Sequence, residues 1–117
     1  MKTPIDSKTH GIIDYAFAGI QLFVPALLGI NDQATKTYRS LGLAFLGMNS
    51  ITDTPVGIRK IISLTSHQKA DTGFLAGLAV LTTSRSIHKD KKTLVFHLGL
   101  FSVAVVKYLL TDYNSGS

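Results

Sequence analysis

The chain contains no cysteine, which removes disulfides, thiolate metal sites and cysteine nucleophiles from consideration and leaves the redox compartment unmarked. It contains no glutamate either, since all seven acidic residues are aspartate. Charge of both signs is scarce, at 16% of the chain against a usual share of about 25% in soluble domains, and this shortfall is the first sign of a lipid environment. The net charge of +5 raises nucleic acid as a partner. Yet the lysines and arginines stand in short clusters between apolar runs and form no continuous basic stripe with interleaved aromatics, so no nucleic-acid partner is expected. Cations that flank apolar segments suit lipid headgroups better. No Ser-His-Asp order, phosphate-cradling glycine loop, His-Glu-x-x-His or glycosidase-like carboxylate pair can be read, and an enzyme is therefore not expected. The opening residues, with Lys2, Pro4, Asp6 and Lys8, lead into an apolar run without a small-residue cleavage site, so no signal peptide is expected.

What the chain does have is four uncharged runs, 15–31, 40–52, 72–84 and 93–106, each too long for an ordinary strand. A bilayer core takes about 20 helical residues, and about 17 at the least, which only the first run reaches unaided. Extended into polar flanks whose side chains snorkel, the helices cover 10–30, 37–52, 67–85 and 92–111. The expected fold is an all-α, four-helix transmembrane bundle forming a single membrane domain over residues 1–117. A soluble four-helix bundle is the alternative. Against it, residues 41–48 (Leu-Gly-Leu-Ala-Phe-Leu-Gly-Met) offer no polar face. Gly19, Gly42, Gly47, Gly73, Gly77 and Gly99 fall inside the helices, where small residues let backbones approach closely in lipid. Gly29-Ile30-Asn31-Asp32 reads as the end of the first helix, and 86–92, with His88, as a polar loop. Thr54-Pro55 reads as the start of a short amphipathic helix, with Ile58, Ile61 and Ile62 toward lipid and Arg59 and Lys60 in water. Thr65-Ser66 reads as the cap of the third helix.

Comparing the two halves yields the most specific pattern. Thr9-His10-x-x-x-Asp14 recurs 57 residues later as Ser66-His67-x-x-x-Asp71, with Phe17 matching Phe74 and Gly19 matching Ala76. Thr52-Asp53-x-x-x-Gly57 recurs 59 residues later as Thr111-Asp112-x-x-x-Gly116. Two motifs in the same order at nearly the same offset point to tandem helical-hairpin repeats, about 9–57 and 66–116. With two spans per unit both copies enter the membrane from one side. The first turns of helices 1 and 3 and the last turns of helices 2 and 4 then share a face, where His10, Asp14, Asp53, His67, Asp71 and Asp112 converge. Five cations, Lys2, Lys8, Arg59, Lys60 and Lys69, join that face. Six, Lys36, Arg39, Arg85, Lys89, Lys91 and Lys92, take the other, with Lys107 set aside. The count barely discriminates orientation and leans toward a cytoplasmic 89–92 loop.

These residues resemble the SPW-repeat family of small bacterial membrane proteins. The resemblance rests on Thr9-His10-Gly11-Ile12-Ile13-Asp14-Tyr15, on Pro25, and on Thr52-Asp53 leading through Gly57 and Arg59 to Ser66-His67 and Asp71, and it covers most of the chain. The tripeptide that names the family stands here as Val24-Pro25-Ala26 and Leu81-Thr82-Thr83. Membership implies a four-helix, multi-pass fold in the cell membrane and no particular activity.

His10 and Asp14, like His67 and Asp71, are spaced i, i+4 and so share a helix face. Two imidazoles and two carboxylates make a ligand set for zinc or another divalent transition ion, with Asp53 and Asp112 as outer partners that orient the rings. The same residues also read as a structural polar cluster, the leading alternative, with aspartates complementing helix dipoles and Thr9 and Ser66 as caps, or as a proton-linked or substrate site. His97 and Asn49, inside apolar runs, read as hydrogen-bond links between helices. Bis-histidine haem would need rings at matched depth on facing helices, which His10 and His67 meet only at the membrane edge, so haem is not expected. The expected role is structural or interactive, as an accessory subunit of a larger membrane complex or a homo-oligomer in the bilayer. The alternative is a metal- or ion-binding membrane protein using His10, Asp14, His67 and Asp71.

Overall fold

Four side-chain oxygens set where the long helices begin. In the computed structural model, which describes residues 5–113, Asp6 accepts from the Thr9 N–H at the start of α1 (Ser7–Leu27), and Asn31 from Ala34 at the start of α2 (Asp32–Ser50). Ser63 accepts from Ser66 at the start of α3 (Leu64–Leu81); after a single turn, α4 (Arg85–His88), Asp90 accepts from Thr93 at the start of α5 (Lys91–Leu110). Each oxygen takes the N–H of the third helical residue, the bond an N-cap makes. Thr9 and Ser66, expected as caps, are instead the capped residues. The helices begin one to five residues ahead of the expected limits because polar first turns carry them upstream of the apolar runs. The Thr9 N–H holds the Asp6 carboxyl below its usual value, and the Asn31 amide, helped by Thr93, does the same for Asp90.

The first helix stops where the sequence suggests. Gly29 adopts φ +71°, and the Ile30 and Gly29 N–H groups donate to the Pro25 and Ala26 carbonyls, a pair of bonds that closes a helix around a left-handed residue. The chain turns at once into α2, and the Asn31 side-chain amide reaches the Ser86 carbonyl and Asp90, tying this turn to the one before α5. Residues 86–92 are thus not a plain polar loop: their first turn is helical and sinks Ile87 completely into the core. Close approach of α1 and α2 depends on Gly42, whose missing Cβ would lie about 3.0 Å from Leu22 and 3.1 Å from the Ala18 carbonyl oxygen. A ring cluster fills the middle of the bundle: Phe45 stacks on Phe74 at 4.8 Å, and Phe17 meets Phe45 edge-on at 5.3 Å.

At one end, the connections between helices repeat the same backbone bonds. Ile5, before α1, bridges to Thr111, after α5; Ile62, before α3, bridges to Thr52, after α2. Asp112 N–H donates to Ile5 O and Asp53 N–H to Ile62 O, at 2.7 and 2.8 Å. These contacts bring the starts of α1 and α3 and the ends of α2 and α5 to one end of the molecule.

Segment 53–62 departs from expectation, for it forms no helix. Its amides fold back on the end of α2: Ile58 and Arg59 donate to the Ser50 carbonyl, and Ile61 and Ile62 to that of Ile51. Those carbonyls are the unsatisfied acceptors of a helix C-terminus, and they outcompete a new helical turn. Ile58, Arg59, Lys60 and Ile61 are all exposed at the tip. Gly57 makes this fold-back feasible, because a Cβ there would run into the Thr52 carbonyl oxygen. Gly57→Ala is therefore expected to destabilise the protein by about 1–3 kcal/mol. A chemical-denaturation midpoint unchanged from wild type would show that the turn relaxes freely.

Polar and charged side chains lie inside the fold beside the apolar core, and several large apolar ones lie outside it. Asp14, Gln21, Asn49, His97 and Lys107 are buried, whereas Phe23, Leu27, Leu43, Val80, Val95 and Leu109 are each at least 62% exposed. Two helices, α1 and α5, are long and apolar enough to cross a membrane, and only 39% and 28% of their most apolar windows is buried within the fold.

Candidate metal centre

The N-terminal turns of α1 and α3 bring His10, Asp14, His67 and Asp71 into a single cluster, in which one donor atom from each lies within 4.8 Å of every other. All four side chains are at least 96% buried. The two carboxylates alternate with the two rings. Asp14 Oδ2 lies 2.9 Å from both Nε2 atoms, while Asp71 approaches His10 Nε2 at 3.2 Å and His67 Nε2 at 3.3 Å. Proximity and direction differ here: His10 Nε2 and Asp71 Oδ1 lie within the cluster but make no directed hydrogen bond. The rings meet edge to face with centroids 5.3 Å apart.

Each ring is held from behind by a threonine. His10 Nδ1 is 2.6 Å from Thr111 Oγ1, and His67 Nδ1 is 2.7 Å from Thr52 Oγ1. Both hydroxyls already donate their one hydrogen to the carbonyl four residues back, Lys107 O and Met48 O, at 2.6 Å. They can only accept from the rings, so Nδ1 carries the hydrogen in both histidines. This assignment turns both Nε2 atoms toward the carboxylates. A bare lone pair opposite a carboxylate at 2.9 Å is repulsive, so each Nε2 requires a proton or a shared cation.

The orienting role expected of Asp53 and Asp112 thus belongs to the residues just before them. A helix advances about 100° per residue, so Thr52 and Thr111 point back into the bundle while the aspartates follow the chain into the two backbone bridges. Asp53 and Asp112 are half-buried there. Gly116, of the second Thr-Asp motif, and Lys2 lie outside the described residues.

Two members of the site escaped sequence reasoning. Lys107 pairs with Asp14 Oδ1 at 2.5 Å, with its ammonium over the Phe45 and Phe17 rings at 4.3 and 4.7 Å. A signal existed: it is a lone cation in an otherwise uncharged stretch, one turn before Thr111 on the same face. Tyr113 donates to Asp71 Oδ2 at 2.8 Å, and burial, reinforced by that carboxylate, pushes its hydroxyl far above the usual phenol value. Nothing in the sequence marks that tyrosine.

The other buried polar groups form separate links. His97 Nδ1 is bonded to the Tyr38 hydroxyl at 2.7 Å and Nε2 to the Leu78 carbonyl at 2.9 Å, joining α2, α3 and α5. Asn49 donates to the Gly11 carbonyl, joining α2 to α1. These contacts are structural ties of the kind expected for His97 and Asn49, although the Asn49 side-chain oxygen is buried without a hydrogen-bond partner among the described residues.

No family model, curated protein or solved structure matches the chain. The chemistry of the cluster is therefore read from its own donors. A tetrahedral zinc ion with bonds of about 2.0–2.2 Å sets its ligand atoms roughly 3.3–3.6 Å apart. With one oxygen taken from each carboxylate, Asp14 Oδ2 lies 2.9 Å from both Nε2 atoms and Asp71 Oδ1 3.3 Å from His67 Nε2, at or just inside that spacing, and one donor atom from each of the four residues lies within 4.8 Å of every other. Two nitrogens and two oxygens, with both rings fixed through their second nitrogen, match the donor chemistry of zinc and its neighbours among divalent transition ions.

Proposed function

We propose that the chain is a multi-pass integral membrane protein of two helical-hairpin repeats that holds one divalent transition-metal ion between His10, Asp14, His67 and Asp71. The observation that carries the metal is the pair of threonine-fixed rings, whose Nε2 atoms face the two carboxylates while His10 Nε2 and Asp71 Oδ1 have no directed partner. A bound cation satisfies all four donors at once. The membrane reading is supported by exposed apolar side chains around a polar interior. At 1.5 Å per residue the four long helices, of 18–21 residues, measure roughly 27–32 Å, close to a hydrocarbon core of about 30 Å. The recurring backbone bridges and the SPW-like residues favour the same duplicated architecture.

A second reading keeps the structural role and needs no metal. It is favoured by the Lys107–Asp14 ion pair, which already neutralises one carboxylate. In that case the cluster is a polar lock, with protons on both Nε2 atoms, in an accessory subunit or homo-oligomer of the membrane.

One purification separates the two. Protein extracted in detergent without a histidine tag or added metal is expected to carry close to one equivalent of a transition metal by elemental analysis. A metal-free protein that also takes up none on dialysis against zinc overturns the metal reading. Recovery as a soluble monomer without detergent overturns the membrane reading.

A further inference from the structure

Lys107 breaks the near-symmetry of the site. At the 59-residue offset that matches Thr52 to Thr111, the residue corresponding to Lys107 is Met48, so one half contributes an ammonium where the other contributes a thioether. The ammonium is buried, engages Asp14 Oδ1 and rests on two phenylalanine rings, while the other oxygen of the same carboxylate, Oδ2, faces both imidazoles. Resting on the metal-site reading above, we propose that Lys107 is the specificity-determining residue of the centre. It occupies one oxygen of Asp14, so that this carboxylate can offer a metal only one donor.

Two consequences follow from coordination chemistry. A centre restricted to two nitrogens and single carboxylate oxygens suits a four-coordinate ion such as zinc. Manganese and calcium demand six or more donors, mostly oxygen, and take them readily from bidentate carboxylates. The fixed positive charge also lowers affinity for every divalent cation, and it does so most for ions that gain little from the imidazoles. Lys107 therefore gives up affinity for selectivity, which is discrimination by an unfavourable contact. Tyr113 acts in the same sense on the opposite carboxylate, since its hydroxyl occupies Asp71 Oδ2.

The test measures equilibrium dialysis of detergent-solubilised, metal-stripped protein against Zn2+, Mn2+ and Ca2+ separately. For Lys107→Met, which installs the residue found at position 48, zinc binding is expected to tighten at least about tenfold. Manganese binding, negligible in wild type, is expected to reach stoichiometry. Lys107→Arg keeps the charge and should retain the wild-type order. If Lys107→Met does not fold, Lys107→Leu likewise removes both the charge and the donor on Asp14 Oδ1, with the same expected shift. Wild-type protein that binds no zinc sinks the metal-site reading itself. Wild type that binds zinc, beside folded Met or Leu variants with an unchanged zinc-to-manganese preference, overturns only the assignment of Lys107.

Discussion

Replacing His10 and His67 together with alanine is expected to remove bound metal completely and to abolish the stabilisation that metal confers. Neither carboxylate can hold a transition ion alone against water, and the rings supply both nitrogen donors. If the wild-type site is saturated at 100- to 1,000-fold above its dissociation constant, linkage gives about 2.7–4.1 kcal/mol of extra stability, and the double variant should lose all of it. Unfolding followed by circular dichroism, with and without a chelator, measures this directly: wild type shifts, the double variant does not. The shift in wild type should also shrink as pH falls, because each ligand must be free of its proton to bind. A double variant that keeps its metal would show that the ligands lie elsewhere. His97→Ala serves as the contrast. Its ring is fully engaged by Tyr38 and Leu78, so the variant should be less stable yet retain its metal.

The i, i+4 spacing of His10 and Asp14 and of His67 and Asp71 was visible in the sequence, and the recurrence of the His-x-x-x-Asp and Thr-Asp motifs made their convergence readable, because hairpins of like layout begin at the same end. The all-helical class was legible for a similar reason: runs without charge, interrupted by Gly29 and by oxygen-bearing caps, leave little choice of secondary structure. What could not be read was phase at the ends of helices. Whether Thr52 or Asp53 faces the rings depends on one residue of rotation, and that rotation is fixed by the fold-back of 53–62 onto the Ser50 and Ile51 carbonyls. Thr54-Pro55 carries a strong helix-start signal, yet those same carbonyls captured the segment, so local propensity lost to a tertiary acceptor. Lys107 lies in the last turn of α5, and a lysine near a helix end ordinarily extends its ammonium outward. Here the opposite holds, since two phenylalanine faces and a buried carboxylate make the interior the better environment.

The same asymmetry predicts that two aspartates that look equivalent in the sequence differ sharply in what they support. In metal-free protein, Asp14→Asn is expected to cost about 3–5 kcal/mol, because it takes away the carboxylate that pairs directly with the buried Lys107 ammonium. Asp71→Asn should cost about 1–2 kcal/mol, since its amide oxygen still accepts from Tyr113 and Lys107 acts on it without a direct contact. The difference is a statement about Lys107, and a double-mutant cycle isolates it. Combining Asp14→Asn with Lys107→Met removes both charges and fills the space above Phe17 and Phe45 with an apolar chain, so most of the Asp14→Asn loss should be recovered. Combining Asp71→Asn with Lys107→Met should give no such recovery, because Asp14 then keeps its charge and loses its partner. Denaturation in detergent with a chelator present supplies all the values needed. Equal costs for the two aspartates, or additive behaviour of the Asp14–Lys107 pair, would mean that the ammonium finds its charge balance elsewhere in the cluster.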